Sequence, residues 1–133
     1  MYYYGKASKE RLATVDSRLK SVMEQVIKIM DVTIACGHRT KQQQWNAFKN
    51  GKSQKQWPNS KHNRLPSQAV DVVPYIKGQG AQWDDREAIT YMAGLIVGIG
   101  YARGIEIRWG GDWDRDGQIS DNNFDDLFHF ELV

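Results

Sequence analysis

Apolar side chains recur at steps of three and four near the start of the chain: Leu12, Val15, Leu19, Val22, Met23, Val26, Ile27 and Met30. That spacing lays them along one stripe of a helix of roughly 20 residues, with Ser8 positioned to cap its start. VTIACG then reads as a short β run stopped by Gly37. TKQQQWNAFKNG reads as a second helix, which Thr40 caps and Gly51 ends. Residues 51–68 are polar, contain Pro58 and Pro66, and predict a long loop of the kind that carries function or moves. AVDVVP is a strand closed by Pro74, and DDREAITYMAGLIVGIGYARG is a third helix, acidic in its first turn. IEIRW alternates as a strand does, and HFELV closes the chain as another. The order predicts an α+β fold, a small, largely antiparallel sheet with about three helices. With no internal repeat and no evident linker, residues 1–133 are expected to form a single domain.

Composition narrows the function. No stretch reaches the ~18 apolar residues of a membrane span, so stable membrane insertion is not expected. The opening MYYYGKASKERL lacks the basic and apolar regions of a secretory signal, and a cytosolic product is expected. One cysteine, Cys36, excludes an internal disulfide and a Cys-rich zinc site, leaving His and carboxylate as the expected metal donors. The net charge of +2 conceals an asymmetry. Residues 1–64 hold 13 Lys and Arg against 4 Asp and Glu, whereas residues 65–133 hold 5 against 12. The basic half suits an anionic polymer such as a bacterial envelope or, equally, a solvated helix face. No nucleic-acid recognition motif accompanies it. A monomer is the expected state.

The acidic half concentrates its charge near the C-terminus. In DWDRDGQISDNN, Asp112, Asp114 and Asp116 occupy the first, third and fifth positions of an EF-hand-like loop, and Gly117 occupies the sixth. Gln118 would offer its backbone carbonyl, and Ser120 would act directly or through water. Asn123 stands where a bidentate glutamate belongs, so Asp121 is the candidate to replace it. The expectation is a Ca²⁺ site of reduced affinity, against an acidic turn that binds nothing.

Two further features demand a partner. Asp71 lies in the middle of an otherwise apolar strand, and His129 lies between Phe128 and Phe130. Burying either unpaired is costly. Together with His62 from the long loop, they would make a two-His, one-Asp zinc site with one position free for water. His38 and Cys36 read as structural residues. Trp109 and Trp113 read as core or cleft wall.

SKHNRLPSQAVDVVP resembles the Ser-x-His…Ala-x-Asp signature of the D-alanyl-D-alanine carboxypeptidase-like zinc metallopeptidases, and DLFHFEL resembles their acidic-x-x-His element. ACGHRTKQQQ is similar to their strand-to-helix segment with its Arg and following Gln. IRWGGDW and YGKASKERLATVDSRLKSV are similar, more narrowly, to phage endolysins of the L-alanyl-D-glutamate peptidase type. The resemblance runs in order along nearly the whole chain. It implies Zn²⁺ on His62, Asp71 and His129, Asp126 as general base, and Arg39 binding substrate or stabilising the oxyanion. His62 and Asp71 stand nine positions apart where the family has seven, with no intervening glycine, so NRLPSQ is an enlarged loop.

Glu131 competes with Asp126 for the base, because on a regular strand i+2 shares the face of His129 and i−3 does not. The implied activity is cleavage of the L-Ala–D-Glu bond in bacterial peptidoglycan stem peptides, ending in cell lysis. The enzyme would be made in the host cytoplasm and released to the wall by a separate permeabilising protein. Three readings remain open beside it. One is a D,D-carboxypeptidase or dipeptidase acting on D-Ala-D-Ala; another is a metal-free glycoside hydrolase of lysozyme type. The third is a non-catalytic wall-binding module stabilised by metal.

Overall fold

The computed structural model describes residues 1–119 and 126–133. The long N-terminal helix is in fact two, α1 (Lys6–Leu12) and α2 (Ser17–Ile29). The apolar stripe continues through the break, since Val15 is buried like its neighbours. What interrupts the helix lies elsewhere in the chain. The Ser67 amide donates to the Thr14 carbonyl and the Asp16 amide donates to the Ser67 carbonyl, diverting backbone groups from the helix. Asp16 then caps α2 by accepting from the Arg18 amide. Ser8 is not a cap but a buried residue inside α1, where its hydroxyl accepts from the Ile34 amide and bonds Thr33.

The remaining elements follow in the expected order, with a 3-10 turn and a two-residue strand that the sequence pattern does not predict. They are β1 (Val32–Cys36), α3 (Lys41–Lys49), a 3-10 turn (Lys61–Asn63), β2 (Ala69–Ile76), β3 (Gly80–Ala81), α4 (Arg86–Ala102), β4 (Ile107–Gly110) and β5 (Asp126–Leu132). Thr40 and Gln43 form the capping box of α3, and Gly51 follows its end with φ 75°, a conformation glycine adopts without a Cβ penalty. Pro74 does not close β2. Its carbonyl still accepts from Gln82, and the strand runs on to pair with β3.

The sheet order is β1-β2-β5-β4 with β3 beside β2, and every paired strand is antiparallel. Among the described residues there are four helices rather than three, within the α+β class that the sequence predicts. One sheet face, with Val70, Val72, Phe130 and Leu132, meets Leu19, Val22, Met23 and Val26 of α2 and Met92 and Ile96 of α4. Because side chains alternate along a strand, Asp71, His129 and Glu131 emerge on the opposite face. The helices therefore cover one side and leave the other to the cleft.

Candidate metal centre

Strand register assembles the centre. β2 and β5 pair with Asp71 opposite His129, and a bulge in β1 brings Cys36 opposite Asp71. Cross-strand neighbours hold their Cβ atoms about 5 Å apart, close enough to share one ion. His62 arrives from the 3-10 turn, whose first amide groups are held by Ser60: Ser60 Oγ accepts from the His62 amide at 3.2 Å. Asn63 Oδ1 in turn accepts from the Ser60 amide at 3.0 Å. The enlarged loop is thus anchored on the histidine side, and the two extra residues before Asp71 do not separate the pair.

Both imidazoles are oriented by their outer nitrogens. His62 Nδ1 lies 2.7 Å from the Gly37 carbonyl, and His129 Nε2 lies 2.8 Å from Glu131 Oε1. Each acceptor calls for an N–H, which leaves a lone pair on each inner nitrogen. Those inner atoms converge: His62 Nε2 is 3.1 Å from Asp71 Oδ1 and 3.2 Å from His129 Nδ1, and the third edge is 3.4 Å. Donors about 2.0–2.1 Å from a tetrahedral zinc stand about 3.3–3.4 Å from one another, so the triangle has the edge lengths of three zinc ligands. Three acceptor atoms facing each other in a buried site repel unless a cation or protons lie between them. Burial pulls His62 down, yet the Asp71 carboxylate reverses that and pushes it up to about 10. Burial likewise opposes ionisation of Asp71, but the two imidazoles hold it well below the usual carboxylate range.

Cys36, read from the sequence as structural, borders the centre. Its half-buried Sγ lies with donor atoms of His62 and Asp71 in a group spanning no more than 4.8 Å, a set able to hold a metal ion. Gly37 is constrained by the same neighbourhood. A Cβ there would strike the Arg11 carbonyl and the Thr14 hydroxyl, while its own carbonyl orients His62.

Asp126 reaches the centre through an irregularity that periodicity cannot foresee. The β4–β5 pairing steps from Trp109↔Phe130 to Gly110↔Asp126, so β5 moves four residues while β4 moves one. That detour brings Asp126 into the cleft lined by Asp71 and His129. Burial, then the Asp71 carboxylate, raise its carboxyl above the ordinary range, with His129, His62 and Arg39 pulling the other way. Gly110 is needed opposite, because a Cβ there would collide with the Asp126 backbone.

Glu131 is otherwise engaged, bonded to His129 and lying 3.4 Å from Lys61 Nζ and 3.3 Å from Arg108 Nη1. Burial would raise its carboxyl, but His129 and then Lys61 hold it at about 2. A depressed pKa contributes stability in full above the ordinary glutamate value of 4.5, and that contribution is lost as pH falls towards 2.

Arg39 stands 3.6 Å from Asp71 Oδ2 and donates to Gln44 Oε1 at 2.9 Å. Gln44 is fully buried and links onward: Asn63 Nδ2 donates to its Oε1, and its own Nε2 donates to Ser53 and to the Lys55 carbonyl. Sequence reasoning noted a glutamine after Arg39 without giving Gln44 or Asn63 a role, because their polar identity signals surface until the fold buries them. His38 stays outside the cleft, its amide held by Thr14. Trp109 is core, while Trp113 lies 5.6 Å from the His129 ring as cleft wall. The cleft measures about 1000 Å³.

The carboxylates of Asp112, Asp114 and Asp116 converge to within 4.8 Å, with Gly117 turning at φ 79°. Their oxygens also accept local amides, including Gly117 N to Asp112 at 2.9 Å and Gln118 N to Asp116 at 2.8 Å. The expected ligand Asp121 lies outside the described residues.

With the geometry in view, the similarities are consistent in kind. The chain matches the family of phage L-alanyl-D-glutamate peptidases over residues 1–133. It is 34% identical over 137 aligned residues to the L-alanyl-D-glutamate peptidase of Escherichia phage T5, covering 99% of this chain and 98% of that one. Its fold matches the crystal structure of the Serratia marcescens L-Ala D-Glu endopeptidase ChiX with a TM-score of 0.76 and 25% identity, covering 99% and 91% of the two chains.

Proposed function

Because the chain belongs to the phage L-alanyl-D-glutamate peptidase family, we propose that it hydrolyses the L-Ala–D-Glu bond of peptidoglycan stem peptides and so lyses the bacterial wall. The observation that carries the reading is the convergence of His62, Asp71 and His129 within 3.4 Å beside Asp126 and Arg39 in one cleft. Those donors suit zinc, which when bound supplies Lewis acidity and activates water at neutral pH.

The rest is the work of side chains. Asp126 accepts the proton of the attacking water and returns it to the leaving amine of D-Glu. Arg39, braced by Gln44, offers its guanidinium to the charge that develops on the scissile carbonyl oxygen or to a substrate carboxylate. Glu131 holds His129 in its working tautomer. Glu131→Gln is therefore expected to weaken metal affinity about 10–100-fold, read by competition with a chromogenic chelator; unchanged affinity would reassign the residue.

The Asp112–Asp116 loop is read as a Ca²⁺ site that orders the wall of the cleft through Trp113. Removing Ca²⁺ is expected to lower activity without stripping zinc, and Asp114→Ala to remove that dependence. Activity that is the same in calcium-free buffer would discard this role. Among the described residues no helix is long and apolar enough to cross a membrane, and passage to the wall is assigned to a separate permeabilising protein. The enzyme is read as a single-domain monomer.

The decisive experiment is mass spectrometry of purified muropeptides with a chelated control. A released peptide beginning with D-Glu, with L-Ala left on the sugar, is expected and should vanish on chelation. Loss of a terminal D-Ala would move the protein to carboxypeptidase chemistry. No cleavage by zinc-loaded protein would indicate a binding module.

A further inference from the structure

Beyond the cleft, α3 and the loop after it carry a second concave surface. Trp45, Phe48 and Trp57 close an apolar notch of about 430 Å³ whose rim is Lys41, Gln42 and Gln56. Trp45 is 52% exposed and Trp57 38%. Single exposed apolar residues need no explanation, but two tryptophans closing one notch do. The notch is linked to the cleft by shared wall residues. Gln54 and Lys55 line both the cleft and an adjoining hollow, and Gln56 and Trp57 line both that hollow and the notch.

Charge marks the same surface. From position 32 to position 70 there is no Asp or Glu, while Arg39, Lys41, Lys49, Lys52, Lys55, Lys61 and Arg64 are all cationic. Lys41 lies on the notch and Lys55 between it and the cleft, so the surface combines flat apolar faces, amide side chains and positive charge.

We propose that this notch is a subsite for the glycan strand of the wall, stacking N-acylated amino sugars on Trp45 and Trp57. The proposal rests on the peptidoglycan reading above and names what that site holds besides peptide. The L-Ala of a stem peptide joins the glycan through a lactyl group, and two such links span at most about 7 Å. A cleft that cuts after L-Ala therefore holds the sugar chain at its rim, and the strand must run along some part of the surface. A tryptophan face packs on the CH face of a pyranose as it does on a nucleobase. Gln42 and Gln56 suit acetamido and hydroxyl groups, and the lysines suit the carboxylates of neighbouring stem peptides. A nucleic acid would find similar chemistry, but nothing ties it to the cleft.

The test uses the metal-loaded full chain, with Trp45→Ala, Trp57→Ala and the double variant. Two substrates are compared: glycan-linked stem peptide and the same peptide without sugar. The ratio of their kcat/KM values is expected to fall about tenfold in each single variant and further in the double, with Trp→Phe retaining most of it. Separately, the N-acetylglucosamine hexamer should quench wild-type tryptophan fluorescence, and less so in the variants. An unchanged ratio, or an equal loss on both substrates, overturns the subsite and leaves the peptidase reading standing. Quenching by a single-stranded oligonucleotide but not by the hexamer overturns it in favour of nucleic acid. If wild type cleaves neither substrate, the peptidase reading fails, and hexamer binding still decides the subsite by itself.

Discussion

Asp126→Asn should lower kcat/KM on muropeptides by about 10²–10⁴-fold, the usual contribution of a positioned general base, while metal content stays at that of the wild type. The substitution keeps the shape of the side chain and removes only its capacity to take a proton. Asp126 stands in the cleft beside Asp71 and His129, its backbone packed so closely on Gly110 that no Cβ would fit there. Glu131, the rival carboxylate, is bonded to His129 and flanked by Lys61 and Arg108. A carboxylate held at about 2 by such partners is a poor proton acceptor at neutral pH. The two variants should therefore separate cleanly, Asp126→Asn losing turnover and Glu131→Gln losing metal. If Asp126→Asn retained turnover when metal-loaded and Glu131→Gln did not, the assignment would be reversed.

Chelation has the second large effect. Activity should disappear, one equivalent of Zn²⁺ should restore it, and the melting temperature should fall by roughly 10 °C on metal removal. The size follows from mass action: a ligand that binds only the folded state at 100–1,000 times its Kd stabilises by about 2.7–4.1 kcal/mol. The donor triangle gives the physical reason, since three acceptor atoms held 3.1–3.4 Å apart repel until a cation joins them. Calorimetry on apo and reloaded protein reads the shift. Full activity and an unmoved transition after chelation would dismiss metal-dependent hydrolysis and revive a carboxylate-only mechanism.

Much of this was legible along the chain. The strands β1, β2, β4 and β5 and the helices α3 and α4 carry their own local signals, with Thr40 and Gln43 an example of a start signal that needs no tertiary help. The candidate chemistry was visible because Asp71 and His129 violate their apolar surroundings, and a buried polar group in such a place must have a partner. Order and spacing of motifs were enough to place the chain among phage L-alanyl-D-glutamate peptidases, the family that its full-length match supports.

Other features depended on contacts between segments distant in sequence. The N-terminal stripe predicted one helix, but hydrogen bonds from Ser67 divided it, and no local signal records a competitor more than fifty positions away. Which partner Asp71 meets was a matter of register, because a slip of one residue between β2 and β5 would have sent His129 to the core face. Asp126 shares the cleft only because β5 makes an irregular step opposite Gly110. Gln44 became a buried link only when α3 packed over the loop at Ser53 and Lys55. Composition, periodicity and motif spacing are properties of the chain and so determined its class, its elements and its candidate donors. Distances among those donors belong to the folded state, where pairing register and backbone irregularities bring residues nine and 67 positions apart within hydrogen-bonding distance of His62.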